Sequence, residues 1–150
     1  MAVTKGFNHV ATLTTDCDRH ADFYKRAFGA EELSRAPDPS GKKVWHSSLR
    51  IGSSVLFVND VFPDMGGSAE KAHLWLYIDN VDAAWKRAVD AGCTVRMPLA
   101  DMFWGDRWGS ITDPFGHSWQ IATHTYDMTP EEMKTGQEKA MAEMMAKKPS

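Results

Sequence analysis

Residues 72–92, AHLWLYIDNVDAAWKRAVDAG, read as a strand, a turn and a helix closed by glycine, and residues 8–29, NHVATLTTDCDRHADFYKRAFG, read the same way. His73 opens one stretch and His9 the other, and seven residues after each comes Asn80 or Asp16. Trp85-Lys86-Arg87-Ala88 answers Tyr24-Lys25-Arg26-Ala27, and Gly92 answers Gly29. The offsets are 64, 61 and 63, a drift that unequal loops would produce. A unit used twice is the simplest account.

The rest of each half completes the unit. Phe7 to Thr15 alternates as a strand does. Ala21, Tyr24, Ala27 and Phe28 share one helical face, behind Asp16 or Asp18 as a cap. Glu31 to Ala36, Lys43 to Ile51 and Ser53 to Asn59 then read as three strands. Phe62 to Lys71, with Pro63, Gly66 and Gly67, reads as the linker between halves. In the second half Ala72 to Asp79 is a strand and Val81 to Ala91 a helix capped by Asp79 or Asn80. Cys93 to Pro98, Met102 to Thr112 and His117 to His124 follow as strands, the last behind an Asp113-Pro114-Phe115-Gly116 turn. One βαβββ unit cannot cover both faces of its own sheet, but two side by side can. The predicted fold is α+β: two βαβββ modules, about 7–60 and 72–124, forming a cupped half-barrel of mixed sheet with helices outside. The domain is taken as 1–126 and a helical extension as 127–150. The extension begins with Thr129-Pro130-Glu131-Glu132, a helix start, and carries Met133, Met141, Met144 and Met145 for packing on this chain or a second subunit.

Composition narrows the function. The 150 residues are 43% hydrophobic and 25% charged, with a net charge of −3. Such a chain folds without staples. Nucleic acid and anionic membranes would call for a basic face, so neither is an expected partner. Cys17 and Cys93 stand far apart, as reduced thiols of a cytoplasmic protein would. No apolar run is long enough to span a bilayer, and Met1 to Lys5 lacks a signal-peptide core. Nucleophile elbows, phosphate loops and HExxH helices are absent from the sequence.

HVATLTTDCDRHADFYKRAFGAEEL resembles the opening of a glyoxalase/bleomycin-resistance (vicinal oxygen chelate) module, and ITDPFGHSWQIATH resembles its closing signature. WGDRWGSITDPFGHSWQIATH is most similar to the PhnB-like branch. The resemblance covers roughly residues 7–126. In metal-bearing members, one ligand comes from each of the first, fourth, fifth and eighth strands around a divalent cation. The resemblance places His9 and His73 at the first and fifth, Gln120 at the eighth, and Leu56 or Phe57 at the fourth. Glutamine is a poor ligand and the fourth position has none, so the metal set is incomplete unless His46, Asp60 or His117 substitutes.

Strand parity gives the wall of the cup. His73, Trp75 and Tyr77 face one way and Leu74, Leu76 and Ile78 the other, while His9 groups with Ala11 and Leu13, and Gln120 with Ser118, Ala122 and His124. Rings with a few polar tips suit an organic ligand. In Phe103-Trp104-Gly105-Asp106-Arg107-Trp108-Gly109, Trp104 or Trp108 could cover a flat molecule, and Arg107 could fork onto its anion or else pair with Asp106 or Asp113. The reading is a metal-free small-molecule binder with no cofactor, binding through His9, His73, Trp75, Tyr77, Trp104, Arg107, Trp108 and Gln120, and forming a homodimer. Two rivals stand: a divalent-metal lyase, isomerase or dioxygenase with His9, His73 and Gln120 as ligands, and a partner-binding module that uses the methionine-rich helix.

Overall fold

The structure, a computed structural model, describes residues 11–14 and 17–147, with side chains from residue 19 onward. Strand β1 (Ala11–Thr14), helix α1 (Cys17–Phe28) and strands β2 (Glu31–Pro37), β3 (Val44–Ile51) and β4 (Ser54–Asn59) form the first module. A 3-10 turn at Pro63–Met65 lies in the linker. Strand β5 (His73–Tyr77), helix α2 (Val81–Ala91) and strands β6 (Thr94–Asp101), β7 (Asp106–Thr112) and β8 (Ser118–His124) repeat the order, and helix α3 (Pro130–Ala146) follows. The two sheets have matching orders, β1-β4-β3-β2 and β5-β8-β7-β6. In each, the first strand runs parallel to the last and the other pairings are antiparallel. Neither sheet closes into a barrel.

Local chemistry sets the element ends. Asn80 caps α2 by accepting from Ala83 N at 3.1 Å, and Thr129 caps α3 by accepting from Glu132 N at 3.1 Å. The stretch 102–112, expected as one interrupted strand, divides. Residues 102–105 turn, Gly105 takes φ +92°, and β7 begins at Asp106. A Cβ on Gly105 would sit 2.0 Å from the Tyr126 carbonyl oxygen, so only glycine fits. Strand β6 is longer than expected, reaching Asp101.

One apolar core spans both modules. Phe23, Tyr24, Leu49, Leu56 and Val58 from the first join Leu74, Val81, Ile111, Trp119 and Ile121 from the second. Helix α1 packs beside α2. Arg87 of α2 donates through Nε to the Arg26 carbonyl at 2.6 Å, and through Nη2 at 3.0 Å to the Lys25 carbonyl, which also accepts from Gly29 N at 3.1 Å, so that α2 caps the last turn of α1. Trp85 lies over Gly109, where an added Cβ would come within 2.3 Å of the indole.

The Asp113 carboxylate is buried at the turn before β8. It accepts from Tyr24 Oη at 2.5 Å, Trp119 Nε1 at 2.9 Å, Phe115 N at 2.9 Å and His117 N at 3.0 Å. Burial, then the charge of Asp113, raises the Tyr24 pKa, so the phenol stays a donor. Cys93 is a free, buried thiol pushed up to about 12 by burial and by Asp113, which makes it inert. Its counterpart Cys17 has a side chain outside the described residues.

Asp113→Ala strips a partner from four donors at once, three of them buried. At about 1–3 kcal/mol for each group left unsatisfied, urea denaturation should show a loss of at least about 3 kcal/mol. Tyr24→Phe, which removes one donor and leaves the carboxylate its other three, should lose about 1.5–3 kcal/mol. Gly109→Ala should lose about 1–3 kcal/mol through overpacking against Trp85, read in the same denaturation curves.

Candidate functional site

Burial along β5 follows strand parity. Leu74 is buried and Leu76 half-buried toward α2, whereas His73, Trp75 and Tyr77 are exposed on the opposite, open face. Register then carries that face across the sheet. His73 stands opposite Ser118, and Ser118 opposite Thr112. Trp75 stands opposite Gln120, and Gln120 opposite Ser110. Tyr77 stands opposite Ala122, and Ala122 opposite Trp108. Asp106 and His124 make the last row.

Two polar groups sit on this face at opposite ends. At the β5 start, Gln120 Nε2 lies 2.8 Å from His73 Nε2 and donates to Ser118 Oγ at 2.9 Å. At the other end is Asp106, 2% exposed. Its Oδ2 accepts from Tyr77 Oη at 3.0 Å and Trp104 Nε1 at 2.9 Å, and its Oδ1 meets His124 Nδ1 at 2.8 Å. One carboxylate thus fixes two rings of an aromatic wall. Trp75 and Trp108 lie near-parallel, with centroids 6.2 Å apart and planes at 21°, and Trp104 meets Trp108 edge-on at 5.7 Å.

His124 bridges two acids, since its Nε2 lies 2.6 Å from Asp127 Oδ1. Both ring nitrogens face carboxylates, so the protonated ring can donate to both and the pair of acids favours that form. Asp127 first, then Asp106, raises its pKa above the usual histidine range. Desolvation and the Asp106 carboxylate likewise raise the Tyr77 pKa. The same clamp holds the chain after β8. The Gly105 carbonyl accepts from Thr125 N, Tyr126 N and Thr125 Oγ1 at 2.8–3.0 Å.

Six of the residues chosen from sequence come together here: His73, Trp75, Tyr77, Trp104, Trp108 and Gln120. Arg107 does not join them. It lies on the α2 side of β7, where Nε and Nη2 bind Asp82 at 2.9–3.1 Å and Nη1 binds Asp101 at 3.2 Å. Both expected partners are corrected as well. Asp106 is its neighbour along the strand and therefore points to the opposite face, and Asp113 is occupied by Tyr24 and Trp119. His9 lies outside the described residues, and only the backbone of Ala11 and Leu13 is described. The central part of Asp106 was missed, because its neighbour had been read as the functional charge of the segment.

The four superfamily ligand positions can be tested against these contacts. His73 and Gln120 are spent on each other. Leu56 is buried in the core, and Phe57 packs its ring on His46. None of the proposed substitutes joins His73. His46 contacts Ser48 on the other sheet, Asp60 accepts from Val44 N, and His117 accepts from Ala72 N through Nδ1. Among the described residues no group of three or more His, Cys, Asp or Glu side chains could hold a metal ion. The described donors do not fit a divalent cation. A crevice of about 810 Å³ between the modules touches this site only through Trp75 and Tyr77, and is lined otherwise by residues such as Phe28, Ser54 and Arg87.

Comparison with known proteins accounts for this architecture. The family described as Glyoxalase/Bleomycin resistance protein/Dioxygenase superfamily matches residues 6–121. The chain belongs to that superfamily. It is 39% identical over 124 residues to the uncharacterized protein Mb0911c of Mycobacterium bovis, covering 75% of this chain and 80% of the relative. Among solved structures, TioX from Micromonospora sp. ML1 superimposes with a TM-score of 0.66 at 28% identity, over 77% of this chain and 98% of TioX. The fosfomycin resistance protein FosX of Listeria monocytogenes shares the fold, with a TM-score of 0.64 at 19% identity over 87% of this chain and 99% of FosX.

The His124 clamp carries a pH dependence. A histidine whose folded pKa is raised contributes stability that is complete below its unfolded value, about 6.5, and lost as pH rises through the folded value. An NMR titration should place His124 above that unfolded value, and Asp127→Asn should bring it down. Trp104 emission should change over the same interval in the native protein. A His124 titration at the free-histidine value would contradict the clamp.

Proposed function

We propose that this protein binds a small planar or amphipathic organic molecule on the open face of the second sheet, without a metal ion. The observation that carries the reading is the wall of Trp75, Tyr77, Trp104 and Trp108, in which one buried carboxylate holds two of the rings. Trp75 and Tyr77 are 46% and 59% exposed, an unusual outlay of aromatic surface unless something covers it. Preset rings give a ligand contact area at little entropic cost. His73 and Gln120 supply polar tips for orientation. A protein that sequesters a compound without transforming it needs no more than this.

The same proposal treats residues 1–126 as the binding domain, with 127–150 as an extension, acting in the cytoplasm as a homodimer. The Trp104-to-His124 segment supports a place in the PhnB-like branch by its resemblance. Among the described residues, no helix is long and apolar enough to cross a membrane.

Isothermal titration with planar aromatic compounds, followed by tryptophan quenching, tests the reading. Trp75→Ala should weaken any ligand found by about tenfold, the loss of one stacked ring at about 0.5–1.5 kcal/mol plus its buried area. Chelator should leave binding unchanged. Protein purified without chelator that carries stoichiometric nickel, zinc, iron or manganese, lost on His73→Ala, would instead establish the metal-dependent enzyme.

A further inference from the structure

Arg96 occupies the β-bulge between Val95 and Met97, so it falls outside the regular alternation of β6. Its guanidinium reaches past β7 and donates from Nη1 to Ser118 Oγ at 3.3 Å. Ser118 stands opposite His73 and Thr112 and belongs to the open face. Arg96 is therefore laid across that face, at the end away from Asp106. Among the described residues no carboxylate pairs with it, in contrast to Arg35, Arg50 and Arg107.

Hydrogen bonds tie Arg96 to the polar end of the open face. Ser118 Oγ, in a side chain 6% exposed, accepts from both Gln120 Nε2 and Arg96 Nη1. Gln120 Nε2 is the donor toward His73, so His73 Nε2 accepts and the ring proton sits on Nδ1. The exposed Arg96 guanidinium, the Ser118 hydroxyl and the His73 imidazole lie together at one end of the aromatic wall. That set matches the in-plane lone pairs of an oxyanion.

We propose that Arg96, with Ser118 and His73, forms the anion-recognition end of the open face, so that the ligand is an aromatic acid. Its carboxylate or phosphate lies on Arg96 while its ring lies on Trp75 and Trp108. Strand geometry gives the spacing: the Trp75–Gln120 row is about 7 Å from the His73–Ser118 row, and the Tyr77–Trp108 row about 13 Å. The inference rests on the binding role proposed above and adds the chemical class of ligand. It also moves the anion-binding arginine from position 107, which is neutralised on the other face, to position 96.

The test uses two probes of one shape, 2-naphthoate and its neutral amide 2-naphthamide, titrated calorimetrically into the full chain. The wild type should bind the acid about tenfold more tightly than the amide, as a charge-assisted hydrogen bond implies. Arg96→Gln should remove that preference by weakening the acid about tenfold, Arg96→Lys should restore part of it, and Arg107→Gln should not alter it. Inorganic phosphate should compete with the acid but not with the amide. Trp75→Ala should weaken both probes alike. Thermal melts of the variants check that each is folded, and Arg96 is exposed, so the substitutions leave the core untouched. Equal binding of both probes, or a preference for the acid that survives Arg96→Gln, overturns this inference and leaves the binding role standing. Binding of neither probe overturns both.

Discussion

The Asp113 carboxylate is the constraint on which the arrangement depends. A charge removed from water is tolerated only where several donors surround it. Here they come from both halves of the chain: Tyr24 from α1, and Trp119 and two backbone amides from the final hairpin. Those bonds fix the entry to β8 and, through Trp119, the contact with α1, because Phe28 and Tyr24 both pack on the Trp119 ring. Strand β8 carries Ser118, Gln120, Ala122 and His124, so the aspartate beneath the turn sets the register of the open face above it.

The duplication, the order of elements and the faces of β5 were legible in the sequence because each is a matter of period. Alternation over His73–Tyr77 and a helix closed by Gly92 leave few readings. Arg107 was placed on the wrong face because its part was inferred from residue type, whereas its side was decided by where β7 begins. That start is set by the turn at Gly105, whose need for positive φ depends on the distant Tyr126 carbonyl. Arg96 was illegible for a related reason. A bulge breaks the period-two rule, and single-sequence alternation does not announce bulges. Asp106 draws its importance from partners at positions 77, 104 and 124, a convergence visible only once the strands are paired.

The superfamily's metal position and this chain's polar bonds stand in contrast. Where a carboxylate would bind a cation, Gln120 binds its neighbours, and the histidine beside it is turned into an acceptor. The open face has its charges at the two ends rather than at the centre: Arg96 near Ser118, and Asp106 with Asp127 around His124. Between them lie rings. Such a surface is polar at both ends and aromatic along its length.

Helix α3 gives this surface a dependence on the far end of the polypeptide. Gly136 lies against the Phe103 ring, which meets Trp104 edge-on, and Asp127 completes the clamp on His124. The last helix therefore touches the segment that carries Trp104, although it contributes no ring of its own. A change in the length or packing of this appendage would be felt at Trp104 without any change in the sheet.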